Sequence, residues 1–259
     1  MIGRGAGLDA AWIRSFQPVR PGAVRLICLP HAGGSASFYL PLAEALAPAV
    51  GVLAVQYPGR QDRRRETSIA TIEELADQVH EVLRPIAGEP LALFGHSMGA
   101  VVAFEVARRL RRAGSLAPIR LMVSGRRPPS AYRNERVHRL PDADLIAELR
   151  LLGAPNLELL SDPEIAAMVM PSIRSDYQAI ESYRYRLGPK LDCPMTVLVG
   201  DQDPRVSVAE ARSWAQHTTG ATEVQVFPGG HFFLAEQLGR VAGVVAAALC
   251  GPPVQSSLS

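Results

Sequence analysis

Net charge is what this chain has little of. Its 27 lysines and arginines stand against 25 aspartates and glutamates, leaving +2 over 259 residues. That balance argues against a nucleic-acid partner or any other strong polyelectrolyte. Lysine is nearly missing, since every basic residue but Lys190 is arginine, and the bias points to no function. Cysteine is scarce. Cys28, Cys193 and Cys250 are odd in number and have no metal-ligand spacing, so a reduced, cytoplasmic protein is expected. No run of about 18 apolar residues occurs, and no spanning helix or membrane attachment is expected. Residues 1–9 lack the apolar core of a signal peptide. Gly3, Gly5 and Gly7 read as a floppy terminus, because no strand precedes them. The tail, residues 251–259, reads as disordered. H-E-x-x-H and clustered Cys/His sets are absent, so no metal is expected. Internal repeats and low-complexity tracts are also absent.

What is present is a hydrophobic fraction of 47%, enough for one core in a single domain spanning residues 1–259. One stretch organises it. Leu91, Ala92, Leu93 and Phe94 read as a buried strand, and Gly95-His96-Ser97-Met98-Gly99 follows. Val101, Ala103, Phe104, Ala107 and Leu110 then recur at helical spacing. Strand, sharp turn and helix are the setting of the G-x-S-x-G nucleophile elbow, which exposes its serine above a sheet edge.

Apolar runs at residues 24–29, 52–57, 119–124, 195–199 and 223–227 read as further strands. Helical patterns, such as residues 72–83, fill most of the gaps between them. The alternation predicts an α/β fold, with a mostly parallel central sheet and helices on both faces. About 70 residues separate the strands ending at Ser124 and beginning at Met195, far beyond an ordinary connection. Leu145, Ile146, Leu149 and Leu152 make one helical face there. Ser161 to Glu164 reads as a capping box, followed by Ile165, Met168, Val169 and Ile173. Tyr177, Ile180 and Tyr183 suggest a third helix. Residues 137–188 are therefore expected to form a helical lid insertion beside Ser97, with Met168, Val169 and the leucine face turned toward an acyl pocket.

A serine nucleophile needs an imidazole base, an acid and oxyanion donors, here in the chain order Ser, Asp, His of an α/β-hydrolase. His231 follows a strand end in Pro228-Gly229-Gly230-His231. His217 falls in a helical stretch and is expected on the surface. His80 and His138 lack strand-end placement, and His96 should pack beneath the elbow. Asp201 and Asp203 both follow the strand at residues 195–199. Asp203 is favoured, because two further residues let the loop turn toward the histidine. The oxyanion donors are expected to be the backbone N–H groups of Met98 and of Ala32, the latter in the loop His31-Ala32-Gly33-Gly34. That loop lacks both glycine-rich phosphate-binding patterns.

Taken together, these residues resemble the type II (editing) thioesterases of polyketide and non-ribosomal peptide biosynthesis. The resemblance covers most of the chain. It rests on Leu29-Pro30-His31-Ala32-Gly33-Gly34-Ser35, Tyr57-Pro58-Gly59-Arg60, the elbow, Ser124-Gly125-Arg126, Asp192-Cys193-Pro194, Gly200-Asp201-Gln202-Asp203 and Pro228-Gly229-Gly230-His231-Phe232-Phe233-Leu234. It implies an α/β-hydrolase fold, a Ser97–Asp203–His231 triad and oxyanion donors at Ala32 and Met98. The implied reaction is hydrolysis of acyl groups from the phosphopantetheine arm of acyl or peptidyl carrier proteins, by a monomer without a cofactor of its own. Arg174-Ser175-Asp176-Tyr177 departs from the alanine and phenylalanine usual in that family and bears on the acyl-pocket shape. Carrier domains are acidic, so Arg60, Arg63, Arg64, Arg65, Arg126 and Arg127 are candidate contacts. A small-molecule esterase or lipase and a non-catalytic carrier-binding module are the rival readings.

Overall fold

The computed structural model describes residues 8–251; the glycine-rich start and residues 252–259 lie outside the described residues, and with them the expectations made for both ends. Among the described residues, one sheet carries seven strands: β1 (Ile13–Ser15), β2 (Val24–Leu29), β3 (Val50–Val55), β4 (Leu91–His96), β5 (Arg120–Ser124), β6 (Met195–Gly200) and β7 (Thr222–Phe227). The helices are α1 (Leu40–Leu46), α2 (Ile72–Leu83), α3 (Met98–Arg112), α4 (Asp142–Leu151), α5 (Pro163–Ser182), α6 (Val208–Arg212), α7 (Phe233–Glu236) and α8 (Leu238–Cys250).

Strand order is β1-β3-β2-β4-β5-β6-β7, parallel throughout except that β1 runs antiparallel to β3. The pleat sorts the core into two layers, because successive side chains point to opposite faces. Leu26, Cys28, Ala92, Phe94 and Met122 share a cluster with Leu42 and Leu46 of α1 and Val241 and Val245 of α8. Ile27, Leu93, Leu121 and Val197 pack instead with Leu75 and Val79 of α2 and Phe104 of α3. Coverage on both faces is why Leu26–Leu29 of β2 and Leu91–Phe94 of β4 read as apolar runs. From β2 the chain goes outward to β3, then returns to β4 on the other side of β2. That reversal opens a crevice at the carboxyl ends of β2 and β4, where α/β sites form.

Several expectations change in detail. β1 was not foreseen: three residues on a sheet edge give too short a pattern to read. The third strand lies at Val50–Val55 rather than residues 52–57. The insertion holds two α-helices, not three, because α5 runs unbroken to Ser182 through Pro171. Proline removes one helical hydrogen bond. Here Met170, Ile173 and Tyr177, on both sides of it, pack into one cluster with Val137, Leu145 and Leu149. The N-cap of α5 is Asp162, not Ser161; its carboxylate accepts from the N–H groups of Glu164 and Ile165. That register places Pro163 at the first helical position, where its missing N–H costs nothing. Met168 faces solvent at 51% exposure, so it does not share the buried face expected of it. The helical stretch expected to run to His217 ends as α-helix at Arg212 and continues as a 3-10 turn, which buries His217.

Two truncations in the insertion should therefore differ sharply. Leu149→Ala empties a position only 6% exposed and should cost about 2–5 kcal/mol in a denaturant melt. Met168→Ala should shift the same melt by less than about 0.5 kcal/mol.

Candidate active site

Ser97 sits at the junction of β4 and α3 with φ 53° and ψ −116°, a left-handed conformation rare for a side-chain-bearing residue. Such a residue costs about 1–3 kcal/mol and persists only where its surroundings dictate it. They do so through two glycines. A Cβ on Gly95 would lie 2.1 Å from the carbonyl oxygen of Gly99, and one on Gly99 would lie 2.0 Å from that of Leu29. The Ser97 N–H donates to the Ser124 carbonyl at 2.8 Å, tying the elbow to β5. The Ser97 hydroxyl does not cap α3, so it remains free for chemistry.

The contact of Gly99 with the end of β2 brings the loop after β2 against the start of α3. In that loop the Gly34 N–H donates to the His31 carbonyl at 2.9 Å, and Gly33 takes φ +75°. This is a β-turn with a left-handed third residue. Among the described residues, the backbone N–H groups of Ala32 and Met98 donate to no acceptor. Met98 opens α3, where N–H groups have no partner within the helix and the dipole is positive.

Across the crevice, His231 Nδ1 lies 2.9 Å from Asp203 Oδ2, both side chains buried. The other Asp203 oxygen accepts from the Arg205 N–H at 2.8 Å. Asp201 is exposed and turns the other way, its carboxylate accepting from the Gly229 N–H at 3.0 Å. It thus ties the β6 and β7 loops together, while Asp203 alone meets the imidazole. Ser97 Oγ and His231 Nε2 share no hydrogen bond here, and such catalytic bonds often tighten only with substrate.

The floor beneath these groups is aromatic. His31 stands edge-on to Phe38 and Phe232, at 4.6 and 4.8 Å between ring centres. Burial, with His231 and Arg60 nearby, lowers its pKa to about 3. His96 is fully buried, its Nδ1 is 3.1 Å from Ser124 Oγ, and burial also holds it neutral. His217 is 5% exposed, against expectation. It packs among Phe104, Tyr185 and Trp214, and burial lowers its pKa to about 4.

Of the arginines considered for an acidic partner, Arg60, Arg63 and Arg127 are buried and engaged with Asp176, Glu66 and Glu135 respectively. They cannot present charge to a docking domain. Arg64 and Arg65 are exposed, and Arg126 is half-buried. Sequence reasoning missed three groups that shape the site. Asp176 of α5 accepts the Gly33 N–H at 2.7 Å, and Glu148 of α4 pairs with Arg205, two residues past Asp203. The signal for Asp176 was a carboxylate set inside the apolar stripe Ile173, Tyr177, Ile180.

A mostly parallel sheet with a strained serine between β4 and α3, and with the Asp–His pair on the same sheet edge, defines an α/β-hydrolase. Within that class the chain belongs to the thioesterase family, whose domain model matches residues 24–249. It is 52% identical to the type II thioesterase BorB from the borrelidin biosynthetic cluster; the match covers 92% of this chain and 98% of that one, with a TM-score of 0.86. It is 46% identical to thioesterase PikA5 of Streptomyces venezuelae, over 92% of this chain and 85% of the relative. It is 47% identical to the "Probable cadicidin biosynthesis thioesterase" of Streptomyces griseus, where it spans 66% of the relative's length.

The buried histidines predict acid lability. The unfolded chain takes up protons near pH 6.5, whereas His31 and His217 in the fold do so only near 3 and 4. Between those limits the unfolded state binds more protons, so stability falls as pH drops from about 6.5 toward 4. Melting temperatures across that window should fall, and a His217→Gln variant should lose less over it.

Proposed function

We propose that this protein hydrolyses acyl groups from the phosphopantetheine arm of acyl or peptidyl carrier proteins, editing stalled or misprimed polyketide or non-ribosomal peptide synthases. The observation that carries the reading is the buried His231–Asp203 pair, held on the same sheet edge as strained Ser97. Ser97 Oγ attacks the thioester carbonyl carbon as its proton passes to His231 Nε2. Asp203 fixes the tautomer that leaves Nε2 able to accept and stabilises the imidazolium that forms. The tetrahedral oxyanion is received by the N–H groups of Ala32 and Met98. Collapse breaks the carbon–sulfur bond, and the arm departs with the proton from His231. Thiols ionise near 8.5, so this departure needs little acid assistance. Water then attacks the Ser97 ester, giving its proton to His231. That proton returns to Ser97 as the acid is released.

The reading needs no chemical group beyond these side chains and backbone donors. In this reading the enzyme works as a cytoplasmic monomer, and residues 137–188 form a lid whose apolar cluster borders the acyl chain. The packing of Ala32 against the cluster that contains Val137, Leu149 and Ile173 supports that placement. Among the described residues, no helix is long and apolar enough to cross a membrane.

Ser97→Ala should abolish hydrolysis of an acyl-carrier protein by about 10⁴-fold or more while the fold is kept. A folded variant holding more than about a tenth of the wild-type kcat contradicts the assignment. Asp203→Asn should lower kcat far more than Asp201→Asn; a larger loss at Asp201 reverses the choice. The wild type should show higher kcat/KM on an acyl-carrier protein than on the matching p-nitrophenyl ester. The opposite order favours a small-molecule esterase.

A further inference from the structure

Asp176 is a poor device for stability. It is 1% exposed, and its Oδ2 accepts from both the Gly33 N–H and the Arg60 guanidinium, while Oδ1 has no partner. Arg60, 5% exposed, donates to the Pro58 carbonyl at 3.0 Å and lies over the Tyr57 ring, but its Nε is unpartnered as well. Buried ion pairs with unmet hydrogen bonds are often matched or bettered by apolar side chains of similar volume. Burial raises the Asp176 pKa even against the pull of Arg60. The contact that distinguishes this carboxylate is the one to Gly33, 143 residues away in sequence.

Gly33 and Ala32 are the two central residues of the turn after β2. Their N–H groups belong to adjacent peptides of one turn: that of Gly33 goes to Asp176, and that of Ala32 stays free. One turn of α5 before Asp176, Ile173 presses on the same loop, since a Cβ on Gly33 would lie 2.8 Å from its Cγ1. The central peptide of a β-turn can flip, and the two turn types differ by that flip. A buried acceptor on the Gly33 N–H selects one orientation, because the flipped peptide would leave that N–H without an acceptor and turn its carbonyl toward a carboxylate held by Arg60 alone.

We propose that Asp176 is a positioning residue for the oxyanion hole: by holding the Gly33 N–H it fixes the turn that aims the Ala32 N–H at the acyl oxygen, and does so only while α5 is seated. The proposal rests on the hydrolase reading above. It makes the helical insertion part of the catalytic apparatus, because the hole is assembled by a side chain that the insertion carries.

The test separates the Gly33 contact from the ion pair. Arg60→Met/Asp176→Asn removes both charges but keeps an amide oxygen to accept from Gly33. Arg60→Met/Asp176→Leu removes the same charges and the acceptor, with Arg60→Met/Asp176→Ala as the substitute where leucine prevents folding. Losing an oxyanion donor costs about 10²–10³ in kcat, so a misaimed one should cost at least about tenfold. The expected result is a kcat at least about tenfold lower without the acceptor than with it, with KM within about twofold. An interaction made only in the transition state gives that pattern. Labelling of Ser97 by a fluorophosphonate should slow in parallel, and this readout does not depend on the natural substrate. Equal kcat and equal labelling rates in the two folded variants would overturn the proposal. Failure of the wild type to cleave carrier thioesters, with its labelling rates still separating the two variants, would count against the substrate reading and support the role of Asp176.

Discussion

The site depends on one backbone constraint: Ser97 is held at φ 53° by the packing of Gly95 on Gly99 and of Gly99 on the end of β2. No side chain fits at either glycine, and none is needed, because the contact is backbone against backbone. That closeness sets the rest of the geometry. It stands the serine clear of the sheet, points the open end of α3 at the same spot, and draws the Ala32 loop alongside. The cost of the strained residue is met by the two clusters on either side of the sheet, in which Phe94 and Met98 are fully buried.

The insertion is bound to this frame by charge as well as by apolar contact. Asp176 reaches the loop after β2, and Glu148 pairs with Arg205 in the loop that carries Asp203. Glu181 accepts from the N–H groups of Val137 and His138 at 2.8 and 3.1 Å, fastening the start of the insertion to α5. Both loops that would act on a bound acyl group therefore touch helices that would also cover it. A shift of α4 or α5 would reach the loops of Ala32 and Asp203 directly, with no intermediate relay.

The elements that bring the candidate site together were legible because their signals are local. The elbow is five consecutive residues, and the loops of Asp203 and His231 directly follow apolar strands. The α2 boundaries, Ile72–Leu83, followed from the spacing of Leu75, Val79 and Val82, and in the fold the Thr71 side chain caps that helix. What stayed hidden is non-local. The Asp176–Gly33 bond joins residues far apart in sequence: a carboxylate inside an apolar stripe marks Asp176 as unusual, but nothing beside it names Gly33 as the partner. His217 looked exposed because its neighbours in sequence are polar, while its neighbours in space are Phe104 and Tyr185. Arg60 and Arg63 looked available to an acidic partner, since burial of a guanidinium depends on carboxylates and carbonyls that only the fold supplies. Tyr177, Ile180 and Tyr183 suggested a separate third helix, yet α5 runs on through Pro171, where packing on both sides overrides the local preference of proline.

The central claim is that acyl transfer runs through Ser97. Rapid mixing with an acyl-loaded carrier protein, quenching in acid before turnover is complete, and peptide mass spectrometry test it most directly. The account predicts a transient acyl ester on the peptide containing Ser97, formed and lost at rates compatible with kcat. Release of the free acid with no adduct at Ser97 at any time, or an adduct on another residue such as Cys28 or Cys193, would contradict it.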